Sequence, residues 1–333
     1  MRNTILVLTN SVDGIHSEIV INKLENLGVN VFRFDVDRLA KGELIIKFGV
    51  NQDTFGFEML DNDKRLLSTD VKSIWYRRPN RLDSPITDPV QRKYAEIETN
   101  QFLEGLWSST IGEVFWLSNP VSLERARKKV LQLKIARELG FTIPRTIITN
   151  DPEHVKQFFM SCDERMIFKA IHHEMLDYEE KSFNIPTTLI SREHLTRFEL
   201  VRKMPSLFQE FIDKEYELRV TVVGDKIFPV KIDSQEHSET SVDWRNPDFI
   251  EKLKYTQVNL PEEITARCHS MLQTLGLEFG AFDFAVDKHG NCYFLEVNPN
   301  GQWYWLEHLT GLLISDAIVA ILSTGLTKGG ESY

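Results

Sequence analysis

Cysteine is scarce. Cys162, Cys268 and Cys292 are the three in 333 residues, odd in number and widely spaced, which fits neither a disulfide framework nor a zinc site. No apolar run reaches membrane-spanning length, and the N-terminal MRNTILVLTNS turns polar too early for a signal peptide. Positive charge is also in deficit. A formal net charge of −10 argues against a nucleic-acid surface and for small-molecule or cationic partners. Repeats and low-complexity tracts are missing, and no G-x-G-x-x-G follows the first predicted strand. What is present is an ordinary globular balance, 42% hydrophobic and 26% charged, on a chain long enough for two or three domains with substantial cores. A soluble cytoplasmic protein is the expectation.

The pattern predicts strands at 3–9 and 29–34 around a helix over 15–27, further strands at 43–50 and 54–60, and a strand in VKSIWYRRP (71–79). This βαβ opening, followed by a helix over 88–110, predicts a Rossmann-like N-terminal domain over 1–118. Asn119-Pro120 marks a boundary. Ser122 is read as the cap of a helix over 123–139, and Asp151-Pro152 as the start of another. Short strands at 145–149, 165–170 and 187–190, with the polar stretch HHEMLDYEEKSFN between the last two, predict a small α+β lobe within a central domain over 119–205. Strands at 206–212, 216–223 and 227–233, a helix over 261–275, a hairpin over 279–298 and a helix over 313–323 make up 206–333.

The hairpin FGAFDFAVDKHGNCYFLEVN carries the first chemical signal. Its alternation puts Phe282, Phe284 and Val286 on one face with Tyr293, Leu295 and Val297, and Asp283 on the other with Glu296 and Asn298. A turn pairing Asp287 with Cys292 sets Asp283 directly opposite Glu296. Like charges so placed destabilise a sheet, and a hard divalent cation removes the penalty because carboxylate and amide oxygens are magnesium ligands. A solvated acidic face gives the same alternation.

A second hairpin, YELRVTVVGDKIFPVKID (216–233), is registered by a three-residue Gly224-Asp225-Lys226 turn, which sets Arg219 opposite Lys231 and Glu217 opposite Asp233. Two opposed cations want an anion such as phosphate; surface ion pairs with the flanking acids are the alternative. Lys169, on the apolar strand MIFKAI, needs a partner if buried. Lys129 lies in a basic run, Glu124–Lys134, that also suits a solvated helix face.

Taken in order, Lys129, Lys169, the Q-E-F-I stretch (Gln209, Glu210, Phe211, Ile212), E-x-R (Glu217, Arg219), Asp283 and E-x-N (Glu296, Asn298) resemble the ATP-grasp ligases over about residues 118–323. FRFDVDR (32–38), Trp75-Tyr76-Arg77-Arg78 and NPNGQWYWLE (298–307) narrow the resemblance to the graspetide macrocyclases, relatives of the microviridin ligases. The fold implied is α/β and α+β, an ATP-grasp fold with a Rossmann-like N-terminal domain, a small lid lobe and a C-terminal antiparallel-sheet lobe. The activity implied is ATP-dependent ring closure in a ribosomal precursor peptide with leader and core. Core Asp or Glu is activated as an acyl phosphate and joined to Thr or Ser as an ester, or to Lys as an amide.

By the same resemblance, Lys129 and Lys169 would hold the α- and β-phosphates, Gln209–Ile212 the adenine, with Glu210 and Ile212 offering backbone groups, and Glu217 the ribose. Asp283, Glu296 and Asn298 would hold magnesium, two ions in all. Arg219, with Lys231, would be catalytic at the transferring phosphoryl, and Arg77 and Arg78 would receive the acidic peptide. His172 and His173 are candidates for a base, the loop 172–184 for a lid, and a homodimer is implied. Two other readings stay open: a ligase joining a free amino acid or amine to a carboxylate, and a non-catalytic binder on the same scaffold.

Overall fold

The run Ile5–Leu8 has no polar side chain to turn toward water, and it forms the buried centre of β1 (Thr4–Thr9) in a parallel sheet. A computed structural model describes residues 2–172, the backbones of 176–178 and 181–183, and residues 185–325. After β1 come α1 (Ile15–Asn26), β2 (Asn30–Asp35) and α2 (Val36–Ala40). An antiparallel sheet of β3 (Ile45–Val50), β4 (Phe55–Asp61) and β5 (Lys64–Leu67) follows. Then β6 (Val71–Tyr76), α3 (Pro89–Ser109) and β7 (Phe115–Leu117) complete this part. The parallel sheet has the order β2-β1-β6-β7, so its winding reverses between β1 and β6. Among the described residues no helix is long and apolar enough to cross a membrane.

The next helix differs from expectation. Asn119, not Ser122, caps α4 (Pro120–Ala126), accepting a hydrogen bond from the Ser122 N–H with Pro120 in the first turn. The expected single helix breaks at Arg127-Lys128, and a second helix, α5 (Lys129–Glu138), begins with Lys129 at its first position.

The small lobe comprises β8 (Thr146–Thr149), α6 (Pro152–Ser161), β9 (Met166–Lys169), β10 (Leu176–Tyr178), β11 (Lys181–Phe183), β12 (Thr188–Ile190), a 3₁₀ segment Arg192–Lys203 and β13 (Ser206–Glu210). Asp151 caps α6 through the Glu153 N–H, as its position before Pro152 predicts. This lobe has its own apolar core, including Val155, Phe159, Met166, Phe198 and Phe208. Within the 172–184 stretch, residues 173–175, 179–180 and 184, His173 among them, lie outside the described residues.

The C-terminal lobe is built from β14 (Lys214–Val223), β15 (Lys226–Ile232), β16 (Tyr255–Gln257), α7 (Glu262–Leu275), β17 (Phe279–Asp287), β18 (Cys292–Asn298), α8 (Tyr304–Thr310) and α9 (Ile314–Thr324). Its antiparallel sheet has the order β16-β15-β14-β17-β18. One face packs Leu218, Val220, Phe282, Phe284 and Phe294 against α7. Part of the other face packs Val223, Val230 and Phe279 through Trp303, Leu306 and Ile318 onto Ile5, Val7 and Trp75 of the parallel sheet. Full burial of each such side chain contributes about 1.5–3 kcal/mol, so the N-terminal and C-terminal parts are joined by a core, whereas the small lobe keeps its own.

Two registers matter for the site. Asp283 pairs with Glu296, as the alternation requires, but a bulge follows, so Phe284 pairs with Phe294 and Val286 with Cys292. The extra residue is Leu295. It leaves the apolar face to Phe294 and turns toward the cleft, and Tyr293 is only half-buried. In the other hairpin the turn has two residues, Gly224 and Asp225, with Gly224 at φ 56°. The register therefore slips by one: Arg219 faces Val230, Glu217 faces Ile232, and Lys231 faces Leu218.

Candidate active site

That slip separates the two cations expected to work together. Lys231 lies on the α7 side of the sheet, over the Tyr216 ring at 4.7 Å and 2.9 Å from Asp233, and is removed from the site by its register. Arg219 remains on the cleft face beside Asp283, its neighbour on β17. Both are about 5% exposed, and Arg219 Nη1 is 2.8 Å from each Asp283 oxygen.

Asp283 and Glu296 stand side by side on β17 and β18, each 4% exposed. Asn298 Nδ2 donates to Asp283 Oδ2 at 3.2 Å. Glu296 is held by Lys129 and, at 3.0 Å, by Arg245 Nη1. Two opposed, buried carboxylates are costly without cations around them, and here Arg219, Lys129 and Arg245 supply the charge. Among the described residues no group of three His, Cys, Asp or Glu forms. The donor set is thus two carboxylates and one amide, which fits magnesium, an ion that takes few protein oxygens and fills its shell with phosphates and water.

Arg245 and Asp243 escape sequence reasoning. They sit in the irregular segment between β15 and β16, where no periodicity marks them. The carboxylate of Asp243 grips the Arg245 fork, Nε to Oδ1 and Nη2 to Oδ2 both at 2.9 Å, and accepts from Thr187 Oγ1 at 3.0 Å. Burial works to raise the Asp243 carboxyl, but Arg245 and Thr187 outweigh it and hold it well below the usual carboxylate range. Burial likewise opposes the Arg245 charge, and Glu296 with Asp243 more than restores it.

Lys169, 6% exposed on β9, faces the same cleft, and burial pushes its ammonium down to about 8 against the pull of Glu296. Glu217 is buried in the lining of the same cleft, 2.6 Å from Lys214, and burial raises its carboxyl despite that lysine. The β13 exit carries the connecting stretch. Gln209 is buried and donates to Thr146 Oγ1 at 2.9 Å. The Glu210 carboxylate takes the Arg145 N–H and guanidinium, and its own N–H donates to Arg145 O. Phe211 lies under Arg165, and Ile212 lines the cleft. The cleft these residues enclose, lined also by Asp243 and Arg245, is about 50 Å³.

A second cavity of about 890 Å³ opens on the other side of Glu296. Arg78, Arg81, Arg127 and Lys129 bring positive charge to it, Glu104 and Glu124 negative, and Tyr76 and Trp107 aromatic surface; His172 is at its edge. Of the two arginines expected to face a peptide, only Arg78 lines it. Arg77 is 1% exposed and paired with Asp13 at 3.3 Å, so it has no surface to offer.

A family profile described as "MvdD pre-ATP grasp domain" matches residues 4–124. The chain is similar over 97% of its length, at TM-score 0.90 and 27% identity, to 97% of a RiPP-associated ATP-grasp ligase of Chryseobacterium gregarium solved in complex with ADP and a leader and core peptide. It is similar over 97% of its length, at TM-score 0.86 and 31% identity, to the whole of the macrocyclase MdnC of Microcystis aeruginosa MRC, solved with the precursor peptide MdnA. A probable alpha-L-glutamate ligase of Histophilus somni (strain 2336) is 24% identical over 69% of this chain and 75% of that protein.

Proposed function

We infer, from a chain that belongs to the peptide-macrocyclising ATP-grasp ligases, that it closes rings in a ribosomally made precursor peptide through side-chain esters or amides. ATP supplies the phosphoryl group that turns a core carboxylate into an acyl phosphate, and magnesium screens the phosphates. Everything else falls to the protein's own side chains.

Lys129 and Lys169 hold the α- and β-phosphates in this reading, and the Gln209–Ile212 stretch and Glu217 take adenine and ribose. Asp283, Glu296 and Asn298 hold the metal, as two ions. Arg219 and Arg245 are the two guanidinia beside those carboxylates, placed to take up charge that develops on the transferring phosphoryl. A 50 Å³ cleft is far below the roughly 300–1,000 Å³ of ligand pockets, so nucleotide entry requires Arg245 to leave Glu296 and the small lobe to swing. Its separate core lets it move as one body.

One observation carries the peptide half of the reading. The 890 Å³ cavity, ringed by three arginines, opens onto Glu296, Asn298 and Lys129. An acidic core segment held there presents its carboxylate to the metal ligands, with the small lobe closing over it to exclude water. A homodimer and a cytoplasmic location belong to the same reading. The test is incubation with ATP, magnesium and a candidate precursor: loss of one water per link supports ring closure. The similarity to a glutamate ligase favours a second reading, addition of a free amino acid to a carboxylate, which gives a mass gain and needs no leader.

A further inference from the structure

Asn298 ends β18, and the loop that follows it, Pro299–Trp303, has no regular structure of its own. Its far end is fixed by Trp303, which is 1% exposed in the core shared with the parallel sheet. Its middle is held by Asn300. The side chain of Asn300 donates to Tyr76 O at 3.0 Å, and its carbonyl accepts from Arg78 Nε at 3.0 Å and Arg77 Nη1 at 3.4 Å. Arg77 Nη1 also reaches Asn300 Oδ1 at 3.4 Å. Two residues further along, the Gln302 carbonyl accepts from Arg219 Nη2 at 3.3 Å.

Arg77 is a costly residue to bury in this place. Its guanidinium is 1% exposed at the carboxyl end of β6, where its N–H donates to Leu8 O at 2.8 Å, and it is paired with Asp13 from the β1–α1 turn. Burial drags its pKa down to about 10 even with Asp13 beside it. Arg78 next to it takes a left-handed φ of 48°, and Asn10 Nδ2 donates to its carbonyl at 2.5 Å. Such a conformation is strained for a non-glycine residue and persists only where the surroundings impose it.

We propose that Asp13 and Arg77 are positioning residues, a strut from the N-terminal domain that fixes Asn300 and so sets the place of Asn298 and the carbonyl behind Arg219. This rests on the reading of Asn298 and Asp283 as metal ligands. Residues behind a ligand shell typically shift metal affinity by about 10- to 100-fold when removed.

The test is calorimetric titration of MgCl2 into the full-length protein saturated with ADP, alongside ADP affinity in chelator and thermal melting, for Asp13→Asn, Arg77→Lys and Asn298→Ala. Asp13→Asn is expected to weaken magnesium binding about tenfold while metal-free ADP affinity stays at the parent value. Arg77→Lys, which keeps charge but not the fork, is expected to fall between. A lowered melting temperature with unchanged magnesium affinity makes the pair merely structural and overturns the strut. Should Asp13→Asn not fold, Asn300→Ala removes the side-chain half of the link, Oδ1 to Arg77 and Nδ2 to Tyr76 O, without orphaning a buried charge, and unchanged magnesium affinity there overturns the strut. Asn298→Ala separates the two levels: if it leaves magnesium binding intact, the metal reading is what has failed.

Discussion

Gly301 is the residue whose substitution should hurt the site most for the fewest atoms added. It is buried in the loop after β18, packed against β17, and a Cβ placed on it would lie 2.8 Å from the Ala281 Cβ, 2.9 Å from Arg219 Nη2 and 3.3 Å from the Asn298 Cβ. The Ala281 methyl cannot retreat, because it is rooted in the central strand pair. The loop and Arg219 must give instead. Overpacking of this kind costs about 1–3 kcal/mol, and a misplacement of about 1 Å in a catalytic group can cost on the order of 100-fold in rate. Gly301→Ala is therefore expected to lower the melting temperature by a few degrees and ATP turnover with peptide by one to two orders of magnitude. Gly105→Ala is the control. Gly105 lies in α3 with nothing within 4 Å of a new Cβ, so alanine should stabilise by about 0.5–1 kcal/mol at unchanged turnover. A Gly301→Ala protein that melts and turns over like the parent refutes the reasoning.

Lys231→Met should leave turnover within about twofold of the parent, since the side chain makes only a partly exposed ion pair with Asp233 and a contact over the Tyr216 ring, both away from the cleft; a loss comparable to that of Arg219→Met would return Lys231 to the site. Asp283→Asn orphans the buried Arg219 charge and should destabilise by about 3–5 kcal/mol in denaturant unfolding, together with loss of magnesium binding. Lys169 is depressed to about 8 from an ordinary 10.5, so the ammonium costs stability in full below pH 8, and the cost fades as pH rises to 10.5. Lys169→Met should thus raise the melting temperature of the nucleotide-free protein most at pH 7 and least near pH 10.5. In the parent, ADP affinity should weaken as pH climbs through about 8, and the variant should lose that dependence; an identical pH profile in both would sink the assignment.

Much of the site was legible because it sits on regular strands. Period-two alternation alone placed Asp283 opposite Glu296, and an apolar strand flagged Lys169. Register beyond that depended on details alternation cannot carry. The Leu295 bulge changed which aromatic fills the core, and one residue in the Gly224-Asp225 turn moved Lys231 to the opposite face. Asp243 and Arg245 were invisible because a long irregular segment has no period to read. Arg77 looked like a surface cation in RRP, yet it closes a buried strand, and its only sequence clue was position at the end of an apolar run.

The hydrophobic continuity of the parallel sheet with α9 and the C-terminal lobe also bears on protein engineering. A region joined to its neighbour through Trp75, Phe279, Trp303 and Ile318 cannot be exchanged like a cassette. A chimaera that borrows residues 1–118 from a relative to acquire new specificity would need matching changes along α1 and α9 before it became a soluble enzyme. Grafts confined to the small lobe would escape that demand.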